Sequence, residues 1–285
     1  INANKMNYVG IIGENYGYIN NIEVLETKVT GINRIASLVC NSVNAKGIEN
    51  IIAERITVTA TGDYVGGIVA YVFNHLCYNI QIKDSTIEGN NNTGGIFGYA
   101  RGESDEKNIR NISANNIKVT GNSYVGGLEG RTENFGMNYS NICNSEIQGT
   151  GTSIGGAIGF KNDWSLMNSI IVKKCNVKGK GLQVRNVGGI IGWDSSNLVR
   201  YLYAYDTKIE NEGINTGGLI GLKDRGCQIT YSVGYNLSVS GSRNVGGVIG
   251  SGNAKIKKCY INANVKASIN AAGGLIGNLT NIEMN

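Results

Sequence analysis

An all-β parallel solenoid, wound as a right-handed β-helix of about ten rungs, is the fold this sequence predicts. Three observations point to it. A glycine-centred motif recurs through almost all of the 285 residues, apolar residues between its copies lie two apart, and no segment sustains a helical stripe.

The motif is clearest as VGGIVA at 65, TGGIFG at 93, VGGLEG at 125, IGGAIG at 154, VGGIIG at 187, TGGLIG at 216, VGGVIG at 245 and AGGLIG at 272. Its glycine pairs are Gly66-Gly67, Gly94-Gly95, Gly126-Gly127, Gly155-Gly156, Gly188-Gly189, Gly217-Gly218, Gly246-Gly247 and Gly273-Gly274. Two degenerate copies precede them, YVGIIG at 8 and IASLVC at 35. With the second glycine or its equivalent taken as a mark, the marks fall at 10, 37, 67, 95, 127, 156, 189, 218, 247 and 274, spaced 27–33 residues apart. One such unit cannot bury its own apolar face, whereas units stacked in parallel share a continuous core. Ten rungs make a rod about 45–50 Å long, and parallel crossovers wind right-handed.

The segments between marks, such as 19–31, 77–89 and 109–121, are rich in β-branched residues at the strand period. Asparagine, serine and glycine punctuate them, which predicts short strands joined by turns. The two longest intervals contain 100–108 and 178–186, which are expected to bulge from the coil as loops. The glycines themselves are read as corner pieces, needed where φ turns positive or where stacked corners leave no room for a Cβ. Ala36-Ser37 in the second copy shows that small side chains suffice at one rung.

Composition narrows the partners. There are 42 glycines, no proline, 16% charged residues and a net charge of +5, which is too mild for a nucleic-acid-binding face. No apolar run reaches the ~18 residues of a membrane-spanning helix. No nucleic acid and no membrane insertion are therefore expected. The chain is read as a single domain, 1–285, cut from a longer protein, with flanking caps covering the strand edges of its end rungs.

The repeated Gly-Gly-aliphatic-aliphatic-Gly resembles the GLUG motif of bacterial surface proteins, among them adhesins and the non-catalytic part of IgA-specific metallopeptidases. The resemblance covers nearly the whole chain, and its specificity comes from recurrence rather than from any one copy. It implies an extracellular or cell-surface bacterial protein with a β-helical repeat region, and it implies no catalytic residues for the repeats.

Residues capable of chemistry are sparse. A dinucleotide fingerprint needs a helix after its glycines, and here strand material follows, so no cofactor is expected. The only histidine, His75, lacks the companions of a zinc site and is read as a turn or surface residue. The six cysteines (40, 77, 143, 175, 227 and 259) form no common column and are read as buried free thiols, with Cys143 and Cys175 about three positions out of register. The acidic stretch at 103–106 is read as a solvated loop, with Ca²⁺ attraction the alternative, no metal site is expected, and Asp63, Asp84, Asp163 and Asp206 are isolated, with no column. Lysines bunch at 173, 174, 178 and 180 and again at 255, 257 and 258, an attraction for anionic glycans or simply a solvated face.

The column four after the mark is the most informative. It includes Tyr71, Tyr99, Arg131, Phe160 and Trp193. The column one after the mark is apolar at every rung and is expected to face inward. By strand alternation, positions two and four after the mark then form an outer or marginal stripe, on which Glu129 and Arg131 pair. The alternative is an internal aromatic stack with that pair buried. An outer stripe predicts a contact surface for a host protein, a glycan, or flanking domains of the same chain. The function expected is a non-catalytic scaffold or adhesive repeat region. Two alternatives stay open: the substrate-positioning part of an IgA-protease-like zinc metallopeptidase, and a carbohydrate-active β-helix enzyme.

Overall fold

A computed structural model describes residues 1–103, 109–162, 167–196 and 198–280, with all side chains except those of Gly226 and Cys227. Thirty strands among these residues join into one continuous sheet that winds through about nine turns, and every pairing is parallel. The predicted all-β parallel solenoid is the observed architecture, and no helix occurs among the described residues. Register runs unbroken through the motif: Val39, Val69, Phe97, Glu129, Ile158, Ile191, Ile220, Ile249 and Ile276 stack directly on one another. At the first copy Val9 bridges Ile35 and Ile12 pairs with Val39. Gly10 therefore lies opposite Ala36, not opposite Ser37 as the marks have it. That rung is one residue short, and Ile11 leaves the inward column at 54% exposure.

The glycine pairs are fixed by close approach. A Cβ on Gly67, Gly95, Gly127, Gly156, Gly189 or Gly218 would overlap the carbonyl oxygen of the same glycine one rung further on. A Cβ on the first glycine of each pair would instead strike the carbonyl three residues ahead in its own chain. At the degenerate copy Ser37 fits because its hydroxyl donates to the Gly67 carbonyl at 2.5 Å.

Positive φ, expected at these glycines, lies on other residues. One column just before the motif includes Arg34, Tyr64, Asn92, Tyr124, Ser153, Asn186, Asn215, Asn244 and Ala271. A second column runs from Asn21 through Asn50, Asn79 and Asn111 to Tyr231 and Lys258, and a third from Glu26 through Asp84 and Asn144 to Asn236. Asparagine tolerates this region better than other non-glycine residues, which explains why the sequence is so rich in it. Stacked corners also let the amides bond along the rod. Asn111 donates to Asn79 at 3.2 Å and Asn79 to Asn50 at 2.6 Å; Asn244 donates to Asn215 at 2.9 Å and Asn215 to Asn186 at 2.8 Å.

Inside the coil the position after the mark is buried as expected at Leu38, Ile68, Ile96, Leu128, Ala157, Ile190, Leu219 and Val248. The exceptions are the two ends of the coil, Ile11 on the short first rung and Leu275 on the last described turn, each 54% exposed. Each such aliphatic side chain contributes roughly 1.5–3 kcal/mol by leaving water. The core also holds charge. Lys161, Asp194 and Lys223 follow one another in register on three rungs, all wholly buried. Lys223 Nζ lies 2.9 Å from Asp194 Oδ2 and donates to the Ser196 carbonyl at 2.5 Å, while Asp194 Oδ1 accepts from Ser196 N at 3.0 Å.

Two outcomes follow. Replacing Asp194 by Asn strands buried ammonium charge and is expected to cost about 3–5 kcal/mol, read from the denaturant midpoint; a loss below ~1 kcal/mol would show the pair to be solvated. Ala271→Gly relieves left-handed strain and is expected to stabilise by about 0.5–1 kcal/mol, whereas a lower melting temperature would deny that the strain exists.

Candidate functional site

Tyr71, Tyr99, Arg131, Phe160 and Trp193 stack in register on five successive rungs and point out of the coil. Position two after the mark, expected on the same stripe, is instead buried at Val39, Val69, Phe97, Glu129, Ile158, Ile191, Ile220 and Ile249. The physical cause is local. The carbonyl of Ile96 accepts from both Ile68 N (3.1 Å) and Val69 N (3.0 Å), and the arrangement repeats at Leu128, Ala157, Ile190, Leu219, Val248 and Leu275, so the chain bends there. The ladder then skips the third glycine: Phe97 pairs with Val69 and Tyr99 with Tyr71, with no bridge at Gly98. Alternation does not run through that glycine, so positions two and four face opposite ways.

The expected pairing of Glu129 with Arg131 fails for the same reason. Glu129 points inward and is wholly buried, while Arg131 points outward and pairs with Glu133, two residues further along its own strand. Tyr99 also donates to Glu133, at 2.5 Å. Burial pushes the Glu133 carboxyl up, but the hydrogen bonds from Tyr99 and Arg131 together with the nearby Arg131 and Arg101 charges outweigh it, and the net effect holds it below its ordinary value. Tyr99 is pushed well up, first by burial and then by its bond to Glu133.

A second outward column interleaves with the first and was not anticipated. Tyr8, Arg34, Tyr64 and Tyr124 occupy the left-handed corner just before the motif. The Arg34 guanidinium lies over the rings of Tyr8 (5.3 Å), Tyr64 (5.5 Å) and Tyr71 (4.7 Å). Arg131 lies over Tyr99 (5.2 Å), Tyr124 (5.6 Å) and Phe160 (5.4 Å). Tyr71 meets Tyr99 edge-on at 5.4 Å, and Phe160 meets Trp193 at 4.7 Å. Two guanidinium groups are thus set among the rings along the rod, each cation–ring contact contributing about 0.5–2 kcal/mol. The signal was present in the sequence as Tyr-Val-Gly, repeated at 8, 64 and 124. Within this ladder Phe160 is closed over, at 7% exposure, while Tyr71, Tyr99, Arg131 and Trp193 stay half-exposed.

The remaining candidates are distributed differently. His75 is buried at 2% exposure, not on the surface, because its Nε2 meets the Ser42 hydroxyl at 2.7 Å and Ser42 accepts from Asn15 Nδ2 at 2.9 Å. That serine and histidine stand in the contact a hydrolase uses, yet Ser42 is wholly buried and their place is the packed interior. Cys40, Cys77, Cys143, Cys175 and Cys259 are free thiols, the first, second and fourth buried and the other two partly so. Cys143 pairs in register with Lys173, which puts Cys175 two positions away rather than three. Burial pushes Cys40 and Cys175 up to about 12, so neither is a thiolate nucleophile at neutral pH.

Asp84 and Asp206, taken as isolated, share the third left-handed column, with Asn116, Asn144 and Lys174 between them. They line an open trough of about 900 Å³. Four rungs of ~4.8 Å separate the two carboxylates by about 19 Å, beyond the ~5–9 Å of a glycosidase pair. No cluster of three metal-ligating side chains occurs among the described residues. Residues 104–106, Asp163 and the Cys227 side chain lie outside those described. Leu182, 81% exposed, marks the expected bulge at 178–186. The chain matches no family model, no curated protein and no solved structure.

The Glu133 bonds make a pH prediction. A lowered carboxyl contributes stability that is complete above its ordinary 4.5 and is lost as the pH falls through the lower folded value. Glu133→Gln is therefore expected to flatten the acid limb of the melting-temperature profile. An acid limb identical to the parent's would show that these bonds do not persist in solution.

Proposed function

We propose that the chain is a non-catalytic repeat region of a bacterial cell-surface or secreted protein, of GLUG type, that serves as a stiff scaffold holding a contact stripe. The observation that carries this is the outward column of Tyr71, Tyr99, Arg131, Phe160 and Trp193, continuous over five rungs at one fixed rise. A stripe of that kind suits an extended partner, because each rung repeats the same spacing and no ordering is required on binding. Aromatic and arginine side chains in combination are the residues that concentrate binding energy in protein contacts. The partner is a host protein, a glycan, or a flanking domain of the same chain.

Geometry divides the stripe into two kinds of residue. Trp193 and Tyr99 are half-exposed, whereas Phe160 is closed over by Arg131, Tyr124 and Trp193. On an array of matrix proteins and glycans, Trp193→Ala and Tyr99→Ala are expected to lose the parent's signal while melting within a few degrees of it. Phe160→Ala is expected to cost about 3 kcal/mol in stability as a buried ring. An unchanged array signal from the first two variants, or no parent signal on any surface, would refute the stripe as a contact site.

A further inference from the structure

A different face of the rod carries a second aromatic surface. Tyr201, Tyr203, Tyr205, Tyr231, Tyr235 and Tyr260 lie on three consecutive rungs of the sheet between the second and third left-handed corners. Register places Tyr203 beside Val233, Tyr205 beside Tyr235, and Val233 beside Tyr260. The rings of Tyr203 and Tyr205 are parallel within 5°, with centroids 6.3 Å apart, and Tyr201 stacks on Tyr231 at 5.4 Å. Tyr231, Tyr235 and Tyr260 are 44%, 50% and 55% exposed. None of these three is closed over as Phe160 of the stripe is.

The charge around them is mostly positive. Lys173 stands beside Tyr205 in register, and Lys174 follows it at the corner. Arg200 precedes Tyr201, and its buried Nε has no hydrogen-bond partner among the described residues. Lys257 adjoins Thr230 in register, and Lys258 donates to the Tyr231 hydroxyl at 3.1 Å while lying over its ring. Lys173, Lys174 and Lys257 have no carboxylate partner among the described residues, and Asp206 is the one acid on this part of the face. On the first rungs the same face carries Glu23, Glu54 and Glu26, with Arg55 and Lys83 already paired.

We infer that this face binds an acidic polysaccharide, a carboxylated sugar chain laid across the rungs. A tyrosine offers a flat apolar ring with a hydroxyl at its tip, which matches the apolar face and hydroxyl rim of a sugar. The flanking lysines supply mobile point charges for carboxylates. Single-stranded nucleic acid is the other polymer that stacks on rings, but it needs a basic channel that follows its backbone, and these cations stand at the two margins of the face.

The test is titration of the whole chain with polygalacturonate, its methyl ester and oligo-dT at low salt. Two variants accompany the parent: Tyr231→Asn with Tyr235→Ser and Tyr260→Ser, and Lys173→Glu with Lys257→Glu. Asparagine keeps the left-handed corner at 231, and melting curves confirm that each variant folds. The expected result is binding of the polyacid, weaker binding of the ester, and a loss of about tenfold or more in both variants. Failure to bind the polyacid, equal affinity for the ester, undiminished binding by either folded variant, or tighter binding of oligo-dT each overturns the inference.

Discussion

The carbonyl oxygen of one rung's second glycine occupies the space that a Cβ on the rung before would need, and the rest of the molecule is arranged around that approach. Seven consecutive contacts of this kind, from Gly67 to Gly274, leave no room for a Cβ between one rung and the next. Because the contact is made at the same point of every turn, it fixes register. Register in turn aligns every other position into a column, whether apolar, asparagine or aromatic. The two degenerate copies show the limits: Ser37 fits by donating to the carbonyl it meets, and Gly10 fits in a rung one residue short.

Columns convert small sequence preferences into long-range structure. A residue in left-handed conformation is ordinarily a local cost of about 1–2 kcal/mol. Here the cost recurs at each corner and is offset by contacts that only stacking makes possible, amide to amide in the asparagine ladders and guanidinium to ring in the outer one. The interior follows the same logic in a harsher form. Lys161, Asp194 and Lys223 are far from water, so alternation of sign along the rod is the arrangement that keeps their burial tolerable. A slip of one residue would part Lys161 and Lys223 from Asp194 and leave buried charge without its partner, so the triad also opposes misregister.

Much of this was legible in the residues. The ten-fold recurrence settles the parallel coil and its rise, and the uniformly aliphatic position after the mark finds the core. The outward direction of Trp193 and its column was also legible, though for an imperfect reason. Parity predicted positions two and four together, and the bend with its doubly used carbonyl, followed by a glycine that the ladder skips, separates them. Glu129 misled in the same way, since a charge in a mixed column reads as exposed until the backbone turns it in. His75 reads as a turn or surface residue because its partner Ser42, and the Asn15 that donates to Ser42, come from earlier rungs. The tyrosine face escaped notice because its members are set by distance from the second and third corners, while interval lengths vary when counted from the glycines.

The central claim is that glycine is required at the second position by the rung ahead of it and not by its own φ. Gly127→Ala, in the middle of the rod, isolates this, since φ there is accessible to alanine and what stands in the way is the Gly156 carbonyl together with the Ile142 and Ile147 side chains. The measurement is its denaturant midpoint against the parent. The account predicts a loss of about 3 kcal/mol or more, the scale of overpacking against a backbone that cannot yield. A midpoint within ~0.5 kcal/mol of the parent, the scale of an inert surface change, would contradict it.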